Sequence, residues 1–200
     1  LVLEVLRGVN GVGNSFTDSE KQIVVEKASI DEAFVQLPSG CLLREVAVPV
    51  ATAIRKLTQE TLGLTVSVGV SWNKTFAKFS SQAAKPDGVL VTVGDGVFTD
   101  LESTLPSRIS LTSLLKRTPV TKISGCGGGG VRKKLNDLGC NFAFEIINFG
   151  NATVVSNVLR NNVGLPDAKV TQIVQLLYHG KCDDPVVNKG TGNKSIGVHF

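Results

Sequence analysis

Residues 28–35, Ala-Ser-Ile-Asp-Glu-Ala-Phe-Val, set two adjacent carboxylates, Asp31 and Glu32, inside an apolar run. Apolar residues that favour β-structure approach and leave the pair, which predicts a β-hairpin with strands at about 21–28 and 31–37. Neighbouring residues of a regular strand point to opposite faces of the sheet. The two carboxylates therefore converge only if the backbone bends at the end of a strand.

This acidic pair has two interpretations. The simpler one is an exposed turn that carries two solvated carboxylates. The other is a site for a divalent cation, because Mg²⁺ takes oxygen ligands and is bound through one or two carboxylates together with phosphate. The apolar flanks of the pair favour the cation site.

A second informative segment covers residues 68–79, Val-Gly-Val-Ser-Trp-Asn-Lys-Thr-Phe-Ala-Lys-Phe, and ends in Ala-Lys-Pro-Asp-Gly at residues 84–88. Alternating apolar and small polar residues predict a strand over 64–70. Apolar positions that recur with helical spacing predict a helix over 73–84. Pro86 disfavours helical backbone at the residue before it, so Lys85 is predicted on a turn beyond the helix. Lysine at such a place is a point charge suited to phosphate.

The face of that helix that carries Lys74 and Lys78, four residues apart, is predicted to be solvated. Another side of the helix carries Phe76, Phe79 and Ser80.

Together the two segments resemble the motifs of the Y-family translesion DNA polymerases. Residues 29–34 are similar to the family's second carboxylate motif, and residues 68–88 to its Gly-Ile-Ser-x-Asn-Lys segment, which ends in Lys-Pro-Asn/Asp. The order and spacing of the two segments also match. Within the family, the glycines after Ser124 and the ending Ser-Ile-Gly-Val-His-Phe look most like the eta branch, with the kappa and iota branches as alternatives.

The resemblance implies a DNA-directed DNA polymerase that extends a primer past damaged template bases by two-metal nucleotidyl transfer. Asp31 and Glu32 would hold two Mg²⁺ ions, for which Mn²⁺ can substitute, with Asp31 bridging the metals and Glu32 favouring the metal nearest the primer hydroxyl. Lys85 would contact the triphosphate of the incoming deoxynucleoside triphosphate. The other expected partners are primer-template DNA and a sliding clamp bound through regions outside this chain, and the expected location is nuclear.

Charge divides the chain into two halves. Residues 1–105 carry 9 Lys and Arg against 12 Asp and Glu, whereas residues 106–200 carry 12 against 5 and have a net charge of +7. A basic half is typical of a surface that binds a polyanion.

The basic half contains a glycine-rich stretch at 125–130 that leads into a predicted helix. Such a stretch exposes backbone N–H groups that can bind phosphate with the help of the helix dipole, although a glycine run is also typical of a flexible linker. Further helices are predicted near 141–148, 151–162 and 167–179. The resemblance implies a thumb with a helix-hairpin-helix-like element that grips DNA through Gly127, Gly128, Gly129, Lys133 and Lys134.

The predicted fold class is α+β. A partial ferredoxin-like palm over 1–105, with an antiparallel or mixed sheet and helices on one face, precedes an all-helical thumb over 106–190. Residues 191–200 are expected to open the little-finger domain. The remaining palm elements are a helix at 46–62, a strand at 88–93 and a short helix near 95–103.

We expect the chain to be an internal fragment, because the family's first catalytic aspartate and most of its fingers do not appear in it. Such a fragment would be inactive by itself. No apolar run approaches the roughly 20 residues that cross a bilayer. The four cysteines lack CxxC spacing and are predicted to be free thiols: Cys41, Cys126, Cys140 and Cys182.

Two alternative functions remain open at this point. One is a non-catalytic DNA-binding module in which the glycine hairpin and basic helices act and the two acids are structural. The other is a nucleotidyl cyclase, which shares a palm-like fold but should lack a basic helical domain.

Overall fold

The computed structural model describes residues 24–38, 46–95, 107–182 and 184–187. Their α+β composition confirms the predicted fold class. The elements in chain order are β1 (Val24–Lys27), β2 (Ala33–Gln36), α1 (Val48–Leu62), β3 (Val68–Val70), α2 (Lys74–Ala83), β4 (Val89–Val93), β5 (Arg108–Ser110), α3 (Leu111–Arg117), a 3₁₀ turn (Val120–Lys122), α4 (Gly129–Asp137), α5 (Ala143–Ile147), α6 (Ala152–Val158), a π turn (Leu159–Val163) and α7 (Asp167–His179).

The predicted hairpin is present and is shorter than expected. β1 and β2 pair antiparallel, with Val24 opposite Gln36 and Lys27 opposite Ala33. The five residues between the strands, 28–32, form the turn that carries both carboxylates. The carboxylate pair therefore lies at the end of the hairpin, as predicted.

The other described strands form a separate sheet in the order β3-β4-β5, with both neighbouring pairs parallel. We expected one antiparallel or mixed sheet, whereas the described residues form a two-stranded antiparallel sheet and a three-stranded parallel sheet. β3 and β4 are parallel because α2 connects them, and parallel strands require a crossover of this kind. The predicted helix near 95–103 lies almost entirely outside the described residues.

Helix α2 packs directly on the backbone of β3. Asn73 accepts a hydrogen bond from the amide of Phe76 and so caps the helix. A Cβ atom at Gly69 would lie 2.0 Å from the carbonyl oxygen of Ala77 and 2.3 Å from the amide nitrogen of Ser81. Only glycine permits this approach of helix to strand, and it sets the position of every side chain on α2.

Helix α1 ends at Gly63, whose φ of 68° is the left-handed conformation of a glycine C-cap. Val50, Ala51 and Thr58 lie on its buried face, whereas Thr61 is exposed. The guanidinium of Arg55 lies 2.6 Å from the carboxylate of Asp87.

The basic half is helical, and the predicted helices at 141–148, 151–162 and 167–179 are confirmed, with a π turn extending the second. Helix α3 was not predicted. A continuous apolar core joins α2 to these helices, and its fully buried large side chains include Phe76, Leu114, Leu135, Ile146, Leu159 and Ile173. The division into palm and thumb at about residue 106 stays a prediction.

Two of the predicted free thiols lie in this core. Burial raises the pKa of Cys126 and of Cys140 to about 11, so both are protonated and unreactive near neutral pH. Cys182 is also a free thiol. Within the described part of the chain, no helix has the length and apolar character needed to span a membrane.

A buried ion pair joins the hairpin to α2. The ammonium of Lys74 lies 2.9 Å from the carboxylate of Glu26 on β1, and each side chain is less than a tenth exposed. The segment after α7 completes the group: the Asp184 carboxylate is 3.0 Å from the Lys74 ammonium, which also donates to the Pro185 carbonyl, and the Val187 amide donates to Glu26. The prediction that Lys74 is solvated was wrong, because its partners are distant in sequence.

The protonation state of Lys74 follows from these partners. Burial alone lowers the pKa of its ammonium, but the hydrogen bonds and negative charges of Glu26 and Asp184 outweigh this effect and raise the pKa above its ordinary value. Lys74 is therefore charged in the folded protein, and Glu26 depends on that charge.

We predict that Lys74→Met lowers the free energy of unfolding by about 3–5 kcal/mol, because a buried ion pair with the carboxylate of Glu26 is broken on one side. Chemical denaturation at pH 7 measures the loss. Lys56→Met is the matched control, since Lys56 forms only an exposed pair with Glu60, and should change stability by less than about 0.5 kcal/mol. Equal effects of the two substitutions would contradict a buried role for Lys74.

Candidate functional site

The hairpin turn is held in shape by the hydroxyl of Ser29. This hydroxyl donates to the carboxylate of Asp31 at 2.7 Å and accepts from the amide of Glu32 at 3.1 Å. The amides of Ala28 and Ser29 donate to the carbonyl of Glu32. The turn therefore bends the chain where Asp31 and Glu32 follow one another, which is the bend that the sequence pattern required.

Asp31 is exposed, and its surroundings favour the ionised form. The hydrogen bond from Ser29 lowers the pKa of the Asp31 carboxyl most, followed by its own backbone amide, and the positive charges of Lys85 and Lys78 lower it further. Asp31 therefore remains a carboxylate throughout the neutral range and lies within the electrostatic reach of Lys85.

Glu32 forms an ion pair with Lys78 of α2, with 2.8 Å between the carboxylate and the ammonium. Both side chains are about two-fifths exposed, so this is a surface pair at the edge of the hairpin and not a core ion pair. Lys78 was predicted to be solvated. It is half-buried, and its ammonium pairs with the carboxylate of Glu32. Asp31, Glu32, Lys78 and Lys85 thus form one cluster, which we call the carboxylate cluster.

The chemistry of the carboxylate cluster fits a magnesium ion. Carboxylate oxygens are the ligands that Mg²⁺ prefers, and this metal commonly uses one or two of them with water and phosphate as its other ligands. Among the described residues, no group of three or more Asp, Glu, His or Cys side chains surrounds a common point. The carboxylates of Asp31 and Glu32 would supply two of the ligands of such an ion.

Lys85 lies on the turn after α2, as predicted, and its side chain is exposed. The peptide bond from Lys85 to Pro86 is cis. Asp87 anchors the turn, because Arg55 of α1 pairs with its carboxylate and donates to its carbonyl at 3.0 Å. The anchored turn keeps Lys85 near enough for its charge to lower the pKa of Asp31.

The glycine-rich stretch opens α4, with Gly128 as its N-cap and no side chain capping the helix. A Cβ atom at Gly128, Gly129 or Gly130 would meet no atom within 4 Å, so a ligand can approach this backbone closely. The first amides of α4 are consequently available to an anion.

The two predicted DNA-contacting lysines of α4 differ from each other. Lys133 is exposed, whereas the ammonium of Lys134 donates to the carbonyl of Val163 at 3.1 Å. Lys134 thus also ties α4 to the end of the π turn. No hydrogen bond or ion pair among the described residues joins these lysines to the carboxylate cluster.

Our reading of the sequence missed Ser29 and Lys78 as parts of the cluster. Ser29 had a local signal, because a serine two residues before an aspartate can form a side-chain turn. Lys78 had none, since its partner Glu32 lies 46 residues away.

We predict that Ser29→Ala raises the pKa of Asp31 towards 3.8, its ordinary value, because the largest stabilising contact of the carboxylate is lost. Titration of the side-chain carboxyl by NMR measures the shift. Lys56→Ala, on α1, is the control and should leave the pKa of Asp31 unchanged. An unaltered pKa in Ser29→Ala would show that the turn geometry differs from the one described.

Comparison with known proteins places these features in context. The sequence model of the IMS family, described as the impB/mucB/samB family, matches residues 6–82, which include the hairpin and most of α2. Among curated proteins, a DNA polymerase IV of Desulfatibacillum aliphaticivorans is 28% identical over 174 residues, or 87% of this chain and 38% of that protein. DNA polymerase IV 2 of Mesorhizobium japonicum is 46% identical over 83 residues, or 42% of this chain and 20% of that protein.

Solved structures are also similar to this chain. DinB from Sulfolobus solfataricus superposes with a TM-score of 0.57 at 26% identity, covering 82% of this chain and 42% of that one. A ternary complex of Dbh superposes with a TM-score of 0.56 at 22% identity, covering 94% of this chain and 46% of that one, and supports the fold alone. The chain spans less than half the length of each of these relatives.

Proposed function

We propose that this chain, which belongs to the Y family of DNA polymerases, is part of the catalytic core of a DNA-directed DNA polymerase that extends a primer past damaged template bases. The observation that carries the proposal is the carboxylate cluster, in which an ionised Asp31 and Glu32 lie at one hairpin end beside Lys85. Two acids and an ammonium are suited to nucleotidyl transfer, in which a nucleoside monophosphate passes from a triphosphate to a primer hydroxyl and pyrophosphate leaves.

In this proposal, Asp31 and Glu32 hold two divalent cations, Mg²⁺ or in its place Mn²⁺. Bound there, such ions would supply activation of the primer 3′-hydroxyl and neutralisation of the charge that develops on the phosphates. Asp31 is prepared for this role because its low pKa leaves the carboxylate ionised. To hold a cation, Glu32 would give up its ion pair with Lys78.

Lys85 has the complementary role of binding the triphosphate of the incoming nucleotide. Its turn is anchored through Arg55 and Asp87, which fixes the backbone from which the exposed Lys85 side chain extends. A lysine ammonium near the triphosphate would offset the negative charge of its phosphates.

The helical half would hold the primer-template duplex by its backbone. The uncapped start of α4, with Gly127, Gly128 and Gly129, offers amides to phosphate, and Lys133 adds a free charge. Lys134 would contribute through its position near the same helix, in addition to its contact with Val163. Contacts of this type carry no sequence information.

Several finer parts of the proposal rest on the sequence alone. They are the palm at 1–105, the thumb at 106–190, the start of a little finger at 191–200, the eta branch, a sliding-clamp partner and a nuclear location. The relatives described above are bacterial or archaeal proteins, and they leave the eta branch and the nuclear location as predictions.

We predict that Asp31→Asn in the full-length protein lowers primer extension by about 10³-fold or more, because loss of a bridging ligand removes several kcal/mol of transition-state stabilisation. Gel-based primer extension measures the rate, and fluorescence anisotropy should show unchanged duplex binding. Glu60→Gln, at an exposed position of α1, is the control. Loss of extension and duplex binding together would indicate a structural residue instead.

We predict that Lys85→Ala raises the KM for nucleotide about 10- to 100-fold, the size expected for one charge-assisted contact to phosphate. Steady-state kinetics with a single nucleotide measure it, with Lys56→Ala as the charge-matched control. A normal KM with a normal kcat would remove Lys85 from the nucleotide site.

We predict that Lys133→Glu weakens binding to every duplex alike and reduces the slope of log affinity against log salt by about 1, because one phosphate contact no longer releases a counterion. Lys134→Glu should also lower stability, since its ammonium holds the Val163 carbonyl. Salt titrations on two unrelated duplexes measure the effect. Salt-insensitive binding, or a strong preference for one duplex, would favour a sequence-specific DNA-binding module.

A further inference from the structure

A cavity of about 310 Å³ lies between the end of α2 and the start of the helical half. On one side its wall is formed by Phe79, Gln82 and the turn residue Lys85. On the other side are Arg117 at the end of α3, then Pro119 and Lys122 of the following turn. Elements far apart in sequence thus bring three cationic side chains to one cavity.

The cations of this cavity differ from the other basic side chains close to it. Lys74, Lys78 and Arg55 each pair with a carboxylate. By contrast, the side chains of Lys85, Arg117 and Lys122 form no hydrogen bond or ion pair with any described residue, and no acidic residue of the described chain lines the cavity. Three like charges around one concave surface repel each other, and an anion would relieve the repulsion.

The chemistry of the lining indicates which anion fits. Arginine presents a planar fork of donors that matches phosphate oxygens, and lysine supplies a compact charge. The carboxamide of Gln82 adds a neutral donor, while Phe79 and Pro119 exclude water from part of the wall. This combination is suited to a phosphate group.

A simpler role exists for two of these side chains. Arg117 lies in the last turn of α3, where a cation offsets the negative end of the helix dipole, and Lys122 ends the 3₁₀ turn. That role does not account for Lys85, which reaches the cavity from the opposite side, nor for a cavity without any acidic group among the described residues. An anion site accounts for all three.

We propose that this cavity is a phosphate-binding subsite in which Arg117 and Lys122 extend the phosphate contact begun by Lys85. The inference rests on the proposed function insofar as it shares Lys85. The phosphate group has two possible sources, the pyrophosphate end of the nucleotide or the backbone of bound DNA. Arg117 and Lys122 are not needed for the metal chemistry of Asp31, so they test the subsite separately.

The test compares Arg117→Gln/Lys122→Gln with Lys56→Gln/Lys181→Gln, which removes the same charge at exposed positions outside the cavity. Calorimetry with sodium pyrophosphate and anisotropy with a primer-template duplex measure the two affinities in the full-length protein without divalent metal. Asp31→Asn is measured in parallel, because it should lose primer extension while keeping both affinities. Failure of the polymerase proposal and failure of the subsite are thereby distinguishable.

The cavity variant should lose about tenfold or more in affinity for one of the two probes, whereas the control variant should not. A loss for pyrophosphate assigns the subsite to the nucleotide, and a loss for the duplex assigns it to DNA. Arg117→Lys/Lys122→Arg should retain most of the affinity, because the charges remain. Unchanged affinity for both probes, with only a lower melting temperature, would overturn the proposal and leave the two residues as helix-end cations.

Discussion

The buried charge of Lys74 is the constraint on which the rest of the structure depends. An ammonium inside a protein must be compensated, and here the compensation comes from Glu26 of the hairpin and from Asp184 and Pro185 after the last helix. Because the geometry of a buried ion pair must be close to ideal to offset desolvation, this one lysine determines where three separate parts of the chain meet.

Helix α2, which carries Lys74, contacts other parts of the fold along its whole length. Its first turn holds Lys74 and the cap residue Asn73, which also donates to the carbonyl of Gly180 at 3.0 Å. Its middle presents Lys78 to the second carboxylate of the hairpin, and its end leads to the turn of Lys85. A helix held at Gly69 against the sheet therefore fixes where Lys78 meets Glu32 and where the turn of Lys85 begins.

Local pattern predicted the features that depend on local physics. The hairpin around Asp31, the helix that ends before Lys85 and the helices of the basic half follow from apolar spacing and from proline and glycine placement. What could not be predicted depends on distant partners: Lys74 reads as a solvated helix residue until Glu26 is known to lie beside it. The division of the strands into two sheets, and the pairing of Arg55 with Asp87, likewise depend on tertiary contacts that periodicity does not encode.

The contacts of Gly180 and of residues 184–187 with earlier parts of the chain form late in synthesis. The amide of Val187 reaches Glu26 across 161 residues, and the indole of Trp72 reaches the Gly180 carbonyl across 108. Contacts of such separation form only after a long loop has closed, and the ribosome releases the N-terminal part first. A nascent chain that has emerged as far as α2 already contains both carboxylates and Lys74. It does not yet contain the groups that complete the compensation of Lys74, so the hairpin receives its last contacts only when the opposite end of the fold has been translated.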